Sequence, residues 1–176
     1  MMQEHVSMRD QVEIYQVRNG KVIDSRITGP NPKDGIIARA KCLAVRGLKM
    51  VGLGKGYADD LITYAGIVYM AATIGMDFNY IGIGTGTTAA ATTQTDLVTP
   101  SGARVVSTNT IITTTWTNDT SQHSSTFTIG VGGAAITESG LFTIVSAGTM
   151  LCRQVFSALN LAENDQLIVI WKIKVS

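Results

Sequence analysis

Histidine and cysteine are nearly missing from this sequence, with two of each in 176 residues. His5 and His123 cannot by themselves build a histidine-rich metal site. Cys42 and Cys152 fit no CxxC or Cys/His ligand spacing, so zinc and thioredoxin-like chemistry have no ligand set to work with. Two isolated cysteines read as reduced, buried small hydrophobes. Charge is scarce as well: charged residues make up 15% of the chain and the formal net charge is +1, which gives no basic field for nucleic acid and no acidic one. The opening MMQEHVSMRD has no apolar signal core, and the expectation is a chain that folds in a cytoplasm. One uncharged apolar run, LITYAGIVYMAATIGM at 61–76, falls short of the roughly 20 residues a membrane crossing needs. Bracketed by Asp59, Asp60 and Asp77 without basic anchors, it reads as a buried helix.

What charge there is lies unevenly. Ten of the fourteen Lys and Arg and seven of the thirteen acids fall in residues 1–60, so the composition changes near residue 60. Before that point VEIYQVR, Asn19-Gly20 and KVIDSRI read as a hairpin, because Asn-Gly accepts the two positive φ angles of a type I′ turn. Ile36, Ile37, Ala40, Leu43, Ala44 and Leu48 then recur at helical spacing, with Arg39, Lys41, Arg46 and Lys49 on the other face. The GLGKG at 52–56 cannot be drawn into a Walker frame. For the apolar helix, Asp59 or Asp60 is the expected cap, Gly75 the residue past its end, and Ile62, Ala65, Tyr69 and Ala72 the inward face.

From Phe78 onward Thr, Val, Ile and Gly predominate, which suits half-buried strands. Strands are expected near 78–84, 104–116, 124–131, 140–145, 149–158 and 166–175, a spacing that points to a β-sandwich or barrel. In the last, Leu167, Val169, Trp171, Ile173 and Val175 share one face, and Asn164-Asp165 supplies the preceding turn. YIGIGTGTTAAATTQT at 80–95 invites a nucleotide reading, but its glycines are spaced GxGxG with no helical period after them. They read instead as positions where other chain approaches closely at a strand end. NDTSQHSST at 118–126 gathers Asp119, His123, Ser124 and Ser125 without any GxSxG elbow, and is expected to be a surface loop. Glu138, between apolar neighbours and before a strand, lacks the second carboxylate that glycosidase chemistry needs. Arg104 and Arg153, the only arginines in residues 61–176, are its expected ion-pair partners. No cofactor is implied.

The block from residue 80 to 173 resembles a family of small tailed-bacteriophage structural proteins. The likeness rests on YIGIGTGTTAAATTQTDL at 80–97, Arg104, AAITESGLF at 134–142 and GTMLCRQVFSALNLAENDQLIVIWKI at 148–173, departing at Pro100, where the family pattern has an acid. It implies a virion component assembled in the bacterial host cytoplasm and no catalytic residues. The resulting expectation is a mainly β chain: an N-terminal arm over 1–77 with a hairpin and one or two helices, then an antiparallel, jelly-roll-like β-sandwich over 78–176. Its expected role is capsid decoration or cement, as a homotrimer bound to the major capsid protein through Arg39, Lys41, Arg46 and Lys49. The alternative is a tail or fibre component, receptor- or glycan-binding. Neither reading involves specific nucleic acid or a membrane, and a hydrolase built on Asp119, His123 and Ser124 is the least supported.

Overall fold

The alternating segment Gln166–Val175 becomes β9, and its five apolar residues at 167, 169, 171, 173 and 175 are each no more than 2% exposed. Around it, a computed structural model describes residues 8–28 and 62–175. The other elements are β1 (Met8–Arg18), β2 (Lys21–Thr28), α1 (Tyr64–Asp77), β3 (Tyr80–Gly84), β4 (Val105–Val106), β5 (Thr108–Ile112), β6 (Thr120–Thr128), β7 (Ala134–Phe142) and β8 (Met150–Leu161). They form two antiparallel sheets, ordered β2-β1-β9-β6-β5 and β4-β3-β7-β8. The chain is thus mainly β.

One core serves both sheets. Val12, Ile14, Phe127, Leu167, Val169 and Trp171 from the first meet Ile81, Ile83, Ile136, Leu141, Phe156 and Leu159 from the second. A polar tie crosses it: Trp171 Nε1–H donates to Ser139 Oγ at 3.2 Å, and that hydroxyl donates to the Gly82 carbonyl at 2.9 Å. The indole thus keeps its polar handle satisfied while its body fills the core.

The hairpin forms as its turn residues require, with Asn19 at φ 50° and Gly20 at φ 72°. Its first strand runs the length of β9, from Met8↔Val175 to Val17↔Gln166, so β1 is an interior strand of the larger sheet. Asp165 fastens this edge. Its carboxylate receives Arg18 Nε and Nη2 at 2.7 and 2.8 Å, Gln16 Nε2 at 2.9 Å and the Ala162 N–H at 2.9 Å. The Arg18 guanidinium beside Asp165 holds its carboxyl well below the usual carboxylate range.

Several expectations are corrected. The strand expected over 104–116 is two short ones, because the chain changes sheets at Ser107, whose N–H bonds the Asn79 carbonyl at 2.7 Å. The surface loop expected at 118–126 is instead mostly β6, with Asp119, His123 and Ser125 buried. Glu138 lies inside β7, not before a strand. Thr63 caps α1, accepting the Gly66 N–H on Oγ1 at 3.2 Å, while Asp59 and Asp60 lie outside the described residues. The helix also faces the other way from expectation: Ile67, Ala71 and Gly75 are buried, whereas Ile62 and Tyr69 are exposed. A helix apolar on all sides offers no pattern from which to choose its inner face.

Gly75 is inside that helix, not past its end, and packing explains the residue type. A Cβ there would run into the Asn109 side chain, whose Nδ2 donates to Ser121 Oγ at 2.8 Å and so cannot swing away freely. Gly75→Ala should therefore lower stability by about 1–3 kcal/mol, despite alanine's higher helix propensity. In a double-mutant cycle by urea unfolding, Asn109→Ala should recover part of that loss. Simple additivity would remove this explanation for the glycine.

Candidate functional site

The outer face of β3 is made of hydrogen atoms. Gly82 and Gly84, with Gly86 just beyond, point away from the core, and a segment of the same chain lies directly on them. A Cβ on Gly84 would come within 2.5 Å of both Glu138 Oε1 and the Thr99 carbonyl; one on Gly86 would come within 2.5 Å of Glu138 Oε1. At Gly82 the neighbours are Phe142, Leu97 and Arg104. Close approach, the reading made for these glycines, is what the fold uses them for.

The glycine-rich stretch does cradle an anion, and the anion is the protein's own. Glu138 is fully buried on β7, and its Oε1 accepts the N–H groups of Gly86 at 3.0 Å and Thr99 at 2.8 Å. Oε2 accepts the Val98 N–H at 3.1 Å and Arg153 Nε at 2.6 Å. Burial pushes this carboxyl up, but the Thr99 amide, the Arg153 guanidinium and the Val98 and Gly86 amides together outweigh it and hold it below its ordinary value. Arg153, from the neighbouring strand β8, extends the network outward: Nη1 donates to Gln94 Oε1 at 2.9 Å and Nη2 to the Thr88 carbonyl at 3.0 Å. One ion pair thus binds both ends of the 85–99 strap to the sheet.

Of the two expected partners of Glu138, Arg153 makes the pair. Arg104 is used differently: Nη2 meets Asp96 Oδ1 at 2.9 Å, Nη1 meets the Ile144 and Ala147 carbonyls at 3.0 and 2.5 Å, and the guanidinium carbon lies 3.5 Å from the Phe142 ring centroid. That stacking is a cation–π contact on the outer face of β7. Beside it a cavity of about 360 Å³ opens between the strap and the β7–β8 turn, lined among others by Asp96, Leu97, Arg104 and Val145. The guanidinium bordering it is already committed to the chain's own oxygens.

Asp119, His123 and Ser124 are not brought together. Asp119 accepts the backbone N–H groups of Thr114, Thr115 and Trp116, each at 2.9 Å, closing the turn before β6. Burial raises its carboxyl, but those amides and Thr120 hold it below its ordinary value. Alternation along β6 puts His123 and Ser124 on opposite faces of the sheet. His123 instead meets Ser121 Oγ through Nε2 at 3.0 Å, both residues fully buried, in a chain that begins at the half-buried Asn109. Burial lowers this imidazole's pKa to about 4.

Among the described residues no group of three or more His, Cys, Asp or Glu is placed to hold a metal ion. No helix among them is long and apolar enough to cross a membrane. Cys152 is half-buried against the core. Cys42 and the basic residues Arg39, Lys41, Arg46 and Lys49 lie outside the described residues. The sequence reasoning named Glu138 and Arg153 but missed the strap's backbone amides, for which only the glycine spacing was a signal. No protein-family model and no curated protein matches the chain.

Two measurements probe these buried groups. Replacing Glu138 with Leu should cost about 3–5 kcal/mol, and adding Arg153→Met should recover little of it, because three backbone donors stay without their acceptor. Hydrogen exchange at Gly86, Val98 and Thr99 should quicken in both variants; full recovery in the double variant would reduce the node to a plain ion pair. For His123, the folded pKa lies below the unfolded one, so the unfolded chain binds the proton first. Its contribution is intact above pH 6.5 and is lost as pH falls toward 4, by up to ~3 kcal/mol. His123→Gln should flatten that part of the urea-unfolding profile while leaving the steeper carboxylate-driven loss at lower pH.

Proposed function

We propose that this chain is a structural component of a tailed-bacteriophage virion, most specifically a decoration or cement protein on the head shell. The observation that carries the reading is how the residues of the resemblance are used. Gly84, Gly86, Glu138 and Arg153 come from three separate stretches of sequence and converge on one buried clamp. A motif spent on rigidity suits a protein whose work is to hold shape. Under this reading the two sheets make a jelly-roll-like sandwich, the chain acts as a homotrimer, and the basic residues Arg39, Lys41, Arg46 and Lys49 contact the major capsid protein. Many copies on a repeating lattice then stabilise it together without any single tight site.

A tail or fibre role is the second reading, and one feature favours it. Tyr64, 61% exposed, lies with its ring centroid 4.9 Å from that of Trp116, beside the polar turn at 113–119. Exposed aromatic faces are the surfaces on which sugars stack.

The copy number of the chain relative to the major shell protein, measured by quantitative peptide mass spectrometry of purified virions, separates the two. A ratio near one, or a simple fraction such as about a third, is expected for a head decoration bound with the symmetry of the shell. A handful of copies would transfer it to the tail, and complete absence from virions would end both readings.

A further inference from the structure

Helix α1 rests on polar groups as well as apolar ones. It packs on β5, β6 and β9, with Ile67 and Ala71 buried against Val175. Asn109, His123 and Trp171 stand in one row across those three strands, paired in register. Asn109 meets the helix itself, since a Cβ on Gly75 would run into its side chain. His123 is thus sealed in where the helix meets the sheet, fully buried. Hydrogen bonds at this joint run one way. Asn109 Nδ2 donates to Ser121 Oγ at 2.8 Å, which leaves the hydroxyl proton for His123 Nε2 at 3.0 Å. The other ring nitrogen, Nδ1, is buried with no hydrogen-bond partner.

We infer that His123 is an acid-operated latch for α1: protonating the imidazole frees the helix from the sheet while the two sheets stay folded. The geometry leaves the cation no partner. Among the described residues, β4 and β5 hold no ionisable side chain, and β6 holds none besides His123. Helix α1 contributes Tyr64, Tyr69 and Asp77, all exposed, and β3 the half-buried, uncharged Tyr80. On β9, Lys172 and Lys174 alternate onto the opposite face, bonded to Glu13 and Thr115, and Glu138 of β7 lies on the outer side of its own sheet, bonded to Arg153. Burial alone lowers the pKa of this imidazole. Protonation also reverses the bond at Nε2, which becomes a second donor toward Ser121 Oγ, so the hydroxyl proton loses its acceptor. The charged ring then keeps an unpartnered Nδ1–H in a dry site, a cost that access to water removes. The helix is the easiest element to move. Strand β6 is laddered on both sides, to β5 and to β9, whereas α1 closes its backbone hydrogen bonds within itself and is held to the sheet through side chains.

This inference does not depend on the place of the chain in a virion. Hydrogen exchange of the full chain tests it, expressed as protection factors so that the intrinsic pH dependence is removed. Between about pH 6 and about pH 4.5 the helix amides of residues 67–77 should lose protection about tenfold per pH unit, the slope for one proton taken up on opening. The amides of β9, paired to β1 and β6, should keep theirs. In His123→Gln the α1 slope should vanish. Parallel loss in α1 and β9, a flat α1 profile, or an unchanged slope in His123→Gln overturns the inference. Should that variant fail to fold, the ring resonances of His123 in the unaltered chain decide the matter. Protection of α1 should already have fallen at the pH where the ring is protonated; a protonated ring under a fully protected helix would overturn it.

Discussion

A carboxylate with no water around it sets the terms for the second sheet. Glu138 sits on the outer side of β7, where a strand of an open sandwich would ordinarily meet solvent, and its charge is answered by three backbone amides and one guanidinium. An isolated buried charge would be prohibitively costly, so the strap that carries those amides has to be in place whenever the carboxylate is ionised. The strap has no periodic structure of its own to hold it. Its conformation and the burial of Glu138 are therefore one event.

This coupling gives the molecule an extra layer. The core between the sheets is built of aliphatic and aromatic side chains in the usual way, while outside β3 and β7 lies a second, thinner packing of Leu97, Phe142 and the Arg104 stem over bare glycine backbone. Glycines at 82 and 140 are less strictly required than those at 84 and 86: a Cβ there would press on the Phe142 and Leu97 side chains at 3.0–3.2 Å, where at 84 and 86 it would meet atoms at 2.5 Å. Conformational entropy lost at so many glycines is large, which fits a surface held by hydrogen bonds and an ion pair more than by apolar area.

How much of this could be seen beforehand varied with the range of the cause. The strand at Gln166–Val175 and the Asn19-Gly20 turn were legible because alternation and turn chemistry act within a few residues. The glycines announced that something approached, yet Gly86 and Glu138 are 52 positions apart and nothing local says they meet. Helix α1 was legible in existence but not in orientation, since every side of it is apolar. The run TSQHSST looked like a loop because its composition is polar; it is a strand whose polar side chains are used inward, Asn109 Nδ2 donating to Ser121 Oγ and that hydroxyl meeting His123 Nε2 beneath the helix. Polar pairing across strands erases the hydrophobic signature that strand reading depends on.

The two tryptophans occupy opposite extremes of this architecture. Trp171 is fully buried and bonded to Ser139 across the sheets; Trp116, half-buried, rests against Tyr64 at the entrance to the helix. Their indoles therefore see different polarities, so the intrinsic fluorescence of the chain should carry a blue-shifted component from the core and a redder one from the helix entrance. Loosening of the helix alone would change the second and spare the first. The protein thus carries separate optical reporters for its interior and for one of its surfaces.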